Sequence, residues 1–195
     1  MINAIVLAGG QSKRMGKPKP LLRFGDTTFL GQIISVLDAS SVDRTTVVLG
    51  AHRREIQDAV DLSAADVVIN ENYRDGQLSS LIAAIESLPE QTEAILMCLV
   101  DCPFITVEVV DRIIEKFRKT KSPIVAPAVD GRRGHPVLFS QSLFEALMNA
   151  PLDKGAREVV YSNEDKIAEV DISDNSILAG IDTPDDYRSW FGSDP

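Results

Sequence analysis

A glycine-rich loop that carries several cations follows the first apolar segment of the chain. Residues 2–8 predict a buried strand, and residues 9–19 then read Gly-Gly-Gln-Ser-Lys-Arg-Met-Gly-Lys-Pro-Lys. Glycines let backbone N–H groups approach phosphate oxygens closely and let the chain turn sharply. Arg14 could bind phosphate through its planar guanidinium group, and Lys19 could bind it as a point charge. These residue types, at the carboxyl end of a first strand, predict a site for a polyphosphate ligand.

The loop differs from the two best-known phosphate-binding loops. It lacks the Gly-Lys-Ser/Thr that closes a P-loop, and it lacks the Gly-x-Gly-x-x-Gly of dinucleotide-binding folds. A Gly-Gly pair alone is usually a turn, so a solvated basic loop is the alternative interpretation. Arg14, Gly16 and Lys19 occur together in a chain whose formal net charge is -9, and this local concentration of positive charge favours an anion site.

Two aspartates follow apolar runs that predict buried segments. Asp101 comes directly after residues 94–100 and shortly before Pro103, which directs the chain away from a sheet. Asp182 comes after another apolar run, late in the chain. Carboxylates at such positions could hold a divalent metal ion against phosphates. For Asp101, a turn or helix-capping role is the alternative.

The residues after Asp182 predict a capped helix. Thr183 is the expected N-cap, Pro184 takes the first helical position and Asp186 the third, as in a capping box. Because Asp182 lies one residue before this cap, it keeps its interpretation as a metal ligand.

Two polar loops in the second half of the chain could bind another anion. Residues 130–139 place two arginines between two glycines ahead of a predicted strand, with Arg133 and His135 as candidate ligands. Residues 153–157 lead into a predicted helix, whose N-terminus and Arg157 could attract an anion. A solvated hairpin tip and an ordinary helix start are the alternatives.

A further polar segment, residues 70–80, follows the third predicted strand. Asn70, Gly76 and Ser80 could read the edge of a nucleobase through backbone and side-chain hydrogen bonds. Alternatively, the hydroxyl groups simply lie in the first turn of the next predicted helix.

Composition limits the classes of protein to which this chain can belong. It has 195 residues, 44% hydrophobic and 25% charged, which suits one globular domain. Its acidic balance argues against nucleic-acid binding, which needs a basic surface. The 2 cysteines, Cys98 and Cys102, are too few for a zinc site and are expected to be reduced. No apolar run approaches the roughly 20 residues of a membrane span, so we expect a cytoplasmic protein that binds no membrane.

Strand-like and helix-like segments alternate along the chain. This alternation predicts an α/β fold in which helices cover both faces of a mostly parallel sheet. We expect one domain over residues 1–195, with residues 192–195 frayed. The predicted strands are 2–8, 45–49, 67–69, 94–100, 123–129, 136–139 and 167–172. The predicted helices are 29–37, 53–60, 78–88, 107–117, 143–148 and 156–161, besides the one that Pro184 starts.

The motifs together resemble a known family. The opening loop, residues 7–19, is similar to the signature loop of nucleotidyltransferases that activate sugars, isoprenoids and pterins. With residues 101–103, 131–139, 154–157 and 181–184 in this order, the chain resembles the molybdenum cofactor cytidylyltransferases and their guanylyltransferase relatives. The resemblance extends from Ala4 to Tyr187, and the stretch Arg-Arg-Gly-His-Pro-Val-Leu-Phe is its most specific part.

The resemblance implies a Rossmann-like three-layer fold and a reaction. A nucleoside triphosphate would lie over the first loop, and Mg²⁺ would be held by Asp101 and Asp182. An oxygen of the terminal phosphate of molybdopterin, or of its molybdenum-loaded form, would attack the α-phosphorus, and pyrophosphate would leave. A later handover of the product to a molybdoenzyme or its chaperone is a further implication.

The resemblance also assigns roles to individual residues. The catalytic set is Arg14, Lys19 and Asp101. The nucleotide-binding set is Leu7, Ala8, Gly9, Gly10, Ser12, Arg14, Lys19, Asn70, Gly76 and Ser80. The acceptor-binding set is Arg133, His135 and Arg157.

Transfer of CMP is the favoured reaction, because the spacing from Arg14 to Lys19 resembles the cytidylyltransferases. Gly9 stands where those enzymes often carry alanine, so guanylyl transfer to the same acceptor is the alternative. Three other possibilities are a nucleotidyltransferase for another phosphorylated metabolite, a nucleotide-binding regulatory module and an α/β domain whose basic loop is merely solvated.

Overall fold

The structure is a computed structural model that describes residues 1–195. Its strands are β1 (Ile2–Leu7), β2 (Arg23–Phe24), β3 (Thr27–Thr28), β4 (Arg44–Leu49), β5 (Asp66–Ile69), β6 (Ala94–Leu99), β7 (Ile124–Val129), β8 (Arg132–Arg133), β9 (Val137–Ser140) and β10 (Ile167–Asp171). Its α-helices are α1 (Phe29–Asp38), α2 (Arg53–Ala59), α3 (Gln77–Glu86), α4 (Val107–Thr120), α5 (Phe144–Met148), α6 (Ala156–Tyr161) and α7 (Pro184–Phe191).

The longest helix, α4, shows how the sequence specifies these elements. Thr106 caps its start by accepting a hydrogen bond from the backbone N–H of Val109. Its buried residues recur at helical spacing and form one apolar stripe: Val109, Val110, Ile113, Ile114 and Phe117. The helix ends where Lys121 adopts a left-handed conformation.

The main sheet has the strand order β10-β7-β9-β6-β1-β4-β5, and β8 pairs with β7. β1 is parallel to both of its neighbours, β4 and β6, and β5 and β10 are also parallel to their partners. Only β9 and the short β8 are antiparallel to the strands beside them. The predicted α/β architecture with a mostly parallel sheet is therefore confirmed.

The register of the central strands decides where the loops emerge. Leu7, at the end of β1, pairs with Leu99 of β6 and with Val48 of β4. The segments that follow these three strands therefore leave the sheet at one edge. Because β9 runs the opposite way, its start at Val137 pairs with Met97 near the same edge. The sheet thus brings the glycine-rich loop, Asp101 and the loop before β9 together.

Two hydrophobic cores cover the faces of the sheet. Alternate residues of β1 point to opposite sides, so Ala4 and Val6 join one core while Ile5 and Leu7 join the other. The larger core has 33 buried residues and includes α1 and α4; the smaller has 14 and includes α3. No helix is both long enough and apolar enough to cross a membrane.

Most predicted elements are confirmed within a few residues. Cys98 lies in the core as predicted, and neither cysteine forms a disulfide. The β2–β3 hairpin was not predicted, because two-residue strands leave no periodic pattern in the sequence.

The predicted capping box of α7 is confirmed. The Thr183 side chain accepts a hydrogen bond from the Asp186 backbone N–H, and the Asp186 carboxylate accepts one from the Thr183 backbone N–H. The Thr183 hydroxyl and backbone N–H, together with the Asp182 N–H, hold the pKa of Asp186 below its usual value.

The last residues of the chain make contacts with other segments. Gly192 closes α7 by donating its backbone N–H to Arg188, and Asp194 forms an ion pair with Arg188. The Lys17 ammonium donates to the Pro195 backbone carbonyl. The end of the chain therefore contacts both α7 and the glycine-rich loop.

Candidate functional site

Four charged side chains from distant parts of the chain meet at the edge of the sheet. The Lys19 Nζ atom lies 2.9 Å from Asp101 Oδ2 and 2.5 Å from Asp182 Oδ1. The Arg14 Nη2 atom lies 3.0 Å from the same Asp182 oxygen. The fold thus brings together all four residues that the sequence singled out for phosphate and metal binding.

The two carboxylates are held by the backbone that surrounds them. Asp101 follows β6 after one residue, the buried Val100, and its carbonyl accepts a hydrogen bond of 2.8 Å from the backbone N–H of Ile181. This bond places Asp182 beside Asp101. Helix α7 then anchors the segment, because Tyr187 stacks on Phe29 and its hydroxyl donates to a backbone carbonyl near the β2–β3 hairpin.

The two cations are presented by a loop that folds around Ser12. The Ser12 carbonyl accepts backbone hydrogen bonds from Met15 and Gly16, and its hydroxyl accepts one of 3.0 Å from the Lys19 N–H. The Met15 side chain is buried and fixes the loop to the larger core. Ser12 therefore shapes the loop through its own polar groups.

The environment of Lys19 keeps its amine charged. Burial alone disfavours the ammonium form, but the charge of Asp101 and the hydrogen bonds to Asp182 and Asp101 outweigh it and raise the pKa of Lys19. The Lys19 side chain is largely buried, whereas the Arg14 side chain is 70% exposed.

A cavity of about 360 Å³ opens beside this cluster. Arg14, Lys19, Asp101 and Asp182 line it. Much of the rest of its wall is formed by backbone and neutral side chains, including Leu7, Ala8, Gly9, Gly10, Ser12, Gly76 and Ser80, all of them sequence candidates. The cavity thus combines a charged cluster with a largely neutral wall.

Sequence reasoning missed several residues of the cavity wall. Tyr73, Arg74 and Gln77 contribute to it, as do Gln11 and Lys13 of the glycine-rich loop. The sequence feature that pointed to Tyr73, Arg74 and Gln77 was the nearby Gly76. In the structure its positive φ of 99° marks a sharp turn that brings its neighbours to the site.

Asn70 does not line the cavity, although the sequence suggested it as a nucleotide ligand. Its side chain is buried behind the wall, where the amide donates to Ser79 and Ser80. Any effect of Asn70 on a nucleotide must therefore pass through the residues that it contacts.

A second, larger cavity of about 770 Å³ adjoins the first, and Gly76 and Gln77 line both. Apolar side chains such as Leu78, Val137 and Phe139 dominate its wall. Its polar members include His135, Lys154 and Arg157. All three acceptor candidates, Arg133, His135 and Arg157, therefore line one cavity, which shares Gly76 and Gln77 with the cavity of the charged cluster.

The His135 imidazole is an unusual feature of this second cavity. Its Nδ1 atom is buried and has no hydrogen-bond partner in the protein. Burial lowers the pKa of His135, and the nearby Asp101 charge offsets part of that effect. Buried polar atoms are normally paired, so an imidazole left unpaired in a cavity wall is a candidate contact for a ligand.

The geometry of this site coincides with a match to a known family. A family model described as the MobA-like NTP transferase domain matches residues 4–167. The chain belongs to this family. The MobA-like chain is accordingly a nucleotidyltransferase, and the matched residues include the glycine-rich loop, Asp101 and the loop before β9.

Named relatives cover most of the MobA-like chain. The molybdenum cofactor cytidylyltransferase of Escherichia coli K12 is 28% identical over 95% of this chain and 93% of its own length. The molybdenum cofactor guanylyltransferase of Shewanella woodyi is 29% identical over 82% of this chain and 79% of its own. A Mycobacterium tuberculosis H37Rv protein, crystallised in complex with manganese, is 28% identical, with a TM-score of 0.84 and 98% of each chain covered.

The carboxylates of this MobA-like transferase fit a divalent cation. Asp101 and Asp182 contact the same ammonium nitrogen, so their oxygens converge on one position suited to positive charge. Mg²⁺ typically takes one or two protein carboxylates and completes its shell with water and substrate phosphates. The structure contains no group of three or more acidic, His or Cys side chains arranged for a metal. The pair therefore fits an ion shared with a phosphorylated substrate.

Arg133 of the MobA-like transferase lines the second cavity and also forms two ion pairs within the protein. Its Nε lies 2.6 Å from Glu169 and its Nη1 lies 2.9 Å from Glu164. Two carboxylates thus compensate its charge, and the residue braces β8 against the segment that leads into β10. Of the cations near the second cavity, Arg157 makes no such ion pair.

We expect Gly134→Ala to destabilise the transferase by roughly 1–3 kcal/mol, as overpacking typically does. A Cβ atom at Gly134 would overlap the backbone carbonyl of Ile177, which cannot move aside like a flexible side chain. Urea unfolding would measure the loss. Gly180→Ala is the matched control, because a Cβ there meets no atom within 4 Å. Equal stabilities of the two variants would contradict this expectation.

Proposed function

We propose that this protein transfers a nucleoside monophosphate, with CMP favoured, from a magnesium–nucleoside triphosphate to the terminal phosphate of molybdopterin or molybdenum cofactor. An oxygen of the acceptor phosphate forms a bond to the α-phosphorus, the bond from the α-phosphorus to the bridging oxygen breaks, and pyrophosphate leaves. The observation that carries the proposal is the Arg14–Lys19–Asp101–Asp182 cluster, which lines a cavity that adjoins a second cavity of different character.

The first cavity suits the nucleotide. Its charged cluster would hold the triphosphate, and the neutral part of its wall would hold the nucleoside. Arg14 and Lys19 neutralise charge on the phosphates and on the departing pyrophosphate, which is the main catalytic contribution a protein makes to such a transfer. Asp101 and Asp182 would hold Mg²⁺, which when bound neutralises phosphate oxygens and polarises the α-phosphorus.

The second cavity suits a partly apolar acceptor that ends in an anion. Its wall is mainly apolar, while Arg157 and Lys154 offer positive charge and His135 offers an unpaired ring nitrogen. A phosphate acceptor is already ionised near neutral pH, so the reaction needs no general base.

The preference for CMP rests on the sequence of the first loop. The spacing from Arg14 to Lys19 resembles the cytidylyltransferases, whereas Gly9 departs from them. A Cβ at Gly9 would lie 3.2 Å from the Gly50 backbone nitrogen and 3.3 Å from Ser80 Oγ. An alanine at this position would therefore require both atoms to move by a small distance.

The decisive experiment measures pyrophosphate release by the purified protein with Mg²⁺ and each of CTP, GTP, ATP and UTP, with and without molybdopterin. We expect release with CTP that depends on molybdopterin. The same dependence with GTP would overturn the base preference and keep the acceptor. Nucleotide binding without release would overturn the acceptor and direct the search to other phosphorylated metabolites.

A further inference from the structure

The orientation of the Asn70 side-chain amide is fixed by its surroundings. Its Oδ1 accepts a hydrogen bond of 2.9 Å from the backbone N–H of Asn72. Its Nδ2 lies 2.9 Å from the hydroxyl oxygens of both Ser79 and Ser80. A backbone N–H can only donate, so the amide oxygen must face Asn72 and the NH₂ group must face the two serines.

This orientation fixes the direction of the two hydroxyl hydrogens. Each serine oxygen accepts from Asn70, so each must direct its own hydrogen elsewhere. Ser79 donates to the carbonyls of Asn72 and Gly76, at 3.0 and 2.8 Å. Ser80 makes no donated hydrogen bond within the protein, although it is buried and lines the nucleotide cavity. Its hydrogen is therefore available to a ligand.

Ser80 lies in the part of the cavity that suits a nucleoside. It faces Gly9, and a Cβ added at that glycine would come within 3.3 Å of its hydroxyl oxygen. The charged cluster of Arg14, Lys19, Asp101 and Asp182 lines the same cavity. With the triphosphate at that cluster, the neutral wall that includes Gly9 and Ser80 is left for the nucleoside.

We infer that Asn70 is a positioning residue for nucleotide selection, because it makes the Ser80 hydroxyl a hydrogen-bond donor toward the nucleoside. This inference rests on the proposed function and deepens it. The site accepts a nucleoside that presents an acceptor atom to Ser80, such as a carbonyl oxygen or an unprotonated ring nitrogen. Cytosine offers such atoms at O2 and N3, and guanine offers them at O6 and N7. A base that presents an N–H group at this position is disfavoured, since two donors would face each other without a hydrogen bond.

A double-mutant cycle tests whether Asn70 acts through Ser80. The dissociation constants of the four magnesium–nucleoside triphosphates are measured by calorimetry for Ser80→Ala, Asn70→Ala and the double variant. We expect Ser80→Ala to weaken the preferred nucleotide by about tenfold, the size of one lost hydrogen bond. Asn70→Ala should weaken it severalfold, and the double variant should be no weaker than Ser80→Ala, because coupled residues are not additive. Full additivity of the two losses would overturn the inference.

Asn70→Asp tests the direction of the hydrogen bond while keeping the shape of the side chain. A carboxylate can only accept, so both serine hydroxyls would turn their hydrogens toward it, and Ser80 would present its lone pairs to the ligand. The added charge acts equally on four ligands that carry the same triphosphate, so the ratio of their dissociation constants reports on the base alone. We expect that ratio to change by about tenfold. An unchanged ratio would count against the inference.

Ser79→Ala is the matched control. It removes the other serine partner of Asn70 from the same helix, yet Ser79 does not line the cavity. We expect its nucleotide ratios to match those of the unaltered protein. If Asn70 had a purely structural role, Asn70→Asp would lower the melting temperature without changing the ratios of the dissociation constants. That result would overturn the inference but not the proposed function. If the unaltered protein bound none of the four nucleotides, the proposed function would fall as well.

Discussion

Asp101→Asn is expected to lower pyrophosphate release by about 10³-fold, because metal-dependent charge neutralisation contributes several kcal/mol to such a transition state. Asparagine keeps the size of the side chain and can still accept the hydrogen bond from Lys19, so the fold should persist. It removes one of the two carboxylate charges that converge on the candidate metal position. Turnover measured against Mg²⁺ concentration should therefore show a higher metal requirement as well as a lower maximum.

The control for Asp101→Asn is another aspartate of the same region. Asp185 lies in the first turn of α7, is 84% exposed and pairs only with Arg188. Asp185→Asn should leave both the turnover and the magnesium requirement unchanged. Normal turnover of Asp101→Asn at low Mg²⁺ would show that Asp101 does not hold the metal ion.

Lys19→Met is the second substitution with a large expected effect, a loss of about 10²–10³-fold in turnover, comparable to removal of one preorganised donor from a transition state. Methionine keeps much of the length of the side chain but supplies no charge. The loss should appear in the rate of the chemical step. Binding of Mg²⁺ should persist. Without the Lys19 ammonium, the carboxylates of Asp101 and Asp182 would repel each other, and a bound cation would relieve that repulsion.

Lys17→Met provides a control from the same loop. Lys17 does not line the nucleotide cavity and donates to the Pro195 carbonyl instead. Single-turnover measurements with the nucleotide in excess would separate the chemical step from binding. If Lys19→Met lost metal binding but kept its rate at saturating Mg²⁺, the assigned role of Lys19 would be wrong.

The elements that follow local rules could be predicted from the sequence. The apolar run ahead of Gly9 and the alternation of strands and helices indicated a mostly parallel sheet. Thr183, Pro184 and Asp186 specified the start of α7 because a capping box depends only on neighbouring residues. The carboxyl ends of parallel strands share one edge, so Asp101 could be placed near the first loop.

Features that depend on distant partners could not be predicted. The sequence around Arg133 does not indicate that Glu164 and Glu169 are its ion-pair partners. These glutamates approach Arg133 only because β10 pairs with β7. The sequence suggested that Asn70 contacts a nucleotide, but its burial behind Ser80 follows from how α3 packs on the sheet. The antiparallel insertion of β9 between β6 and β7 likewise depends on long-range pairing, which no local pattern encodes.

The hydrogen bond from Lys19 to Asp182 spans 163 positions of the chain, which has a consequence for biosynthesis. A ribosome adds roughly 5–20 residues per second, and domains begin to fold from their N-terminal side. Every strand of the main sheet precedes Asp182 in the chain, so all of the strands are synthesised before the second carboxylate. The charged cluster can therefore form only after the last part of the chain has been made. Proteolytic cleavage just ahead of Asp182 would likewise leave every strand of the sheet but an incomplete charged cluster.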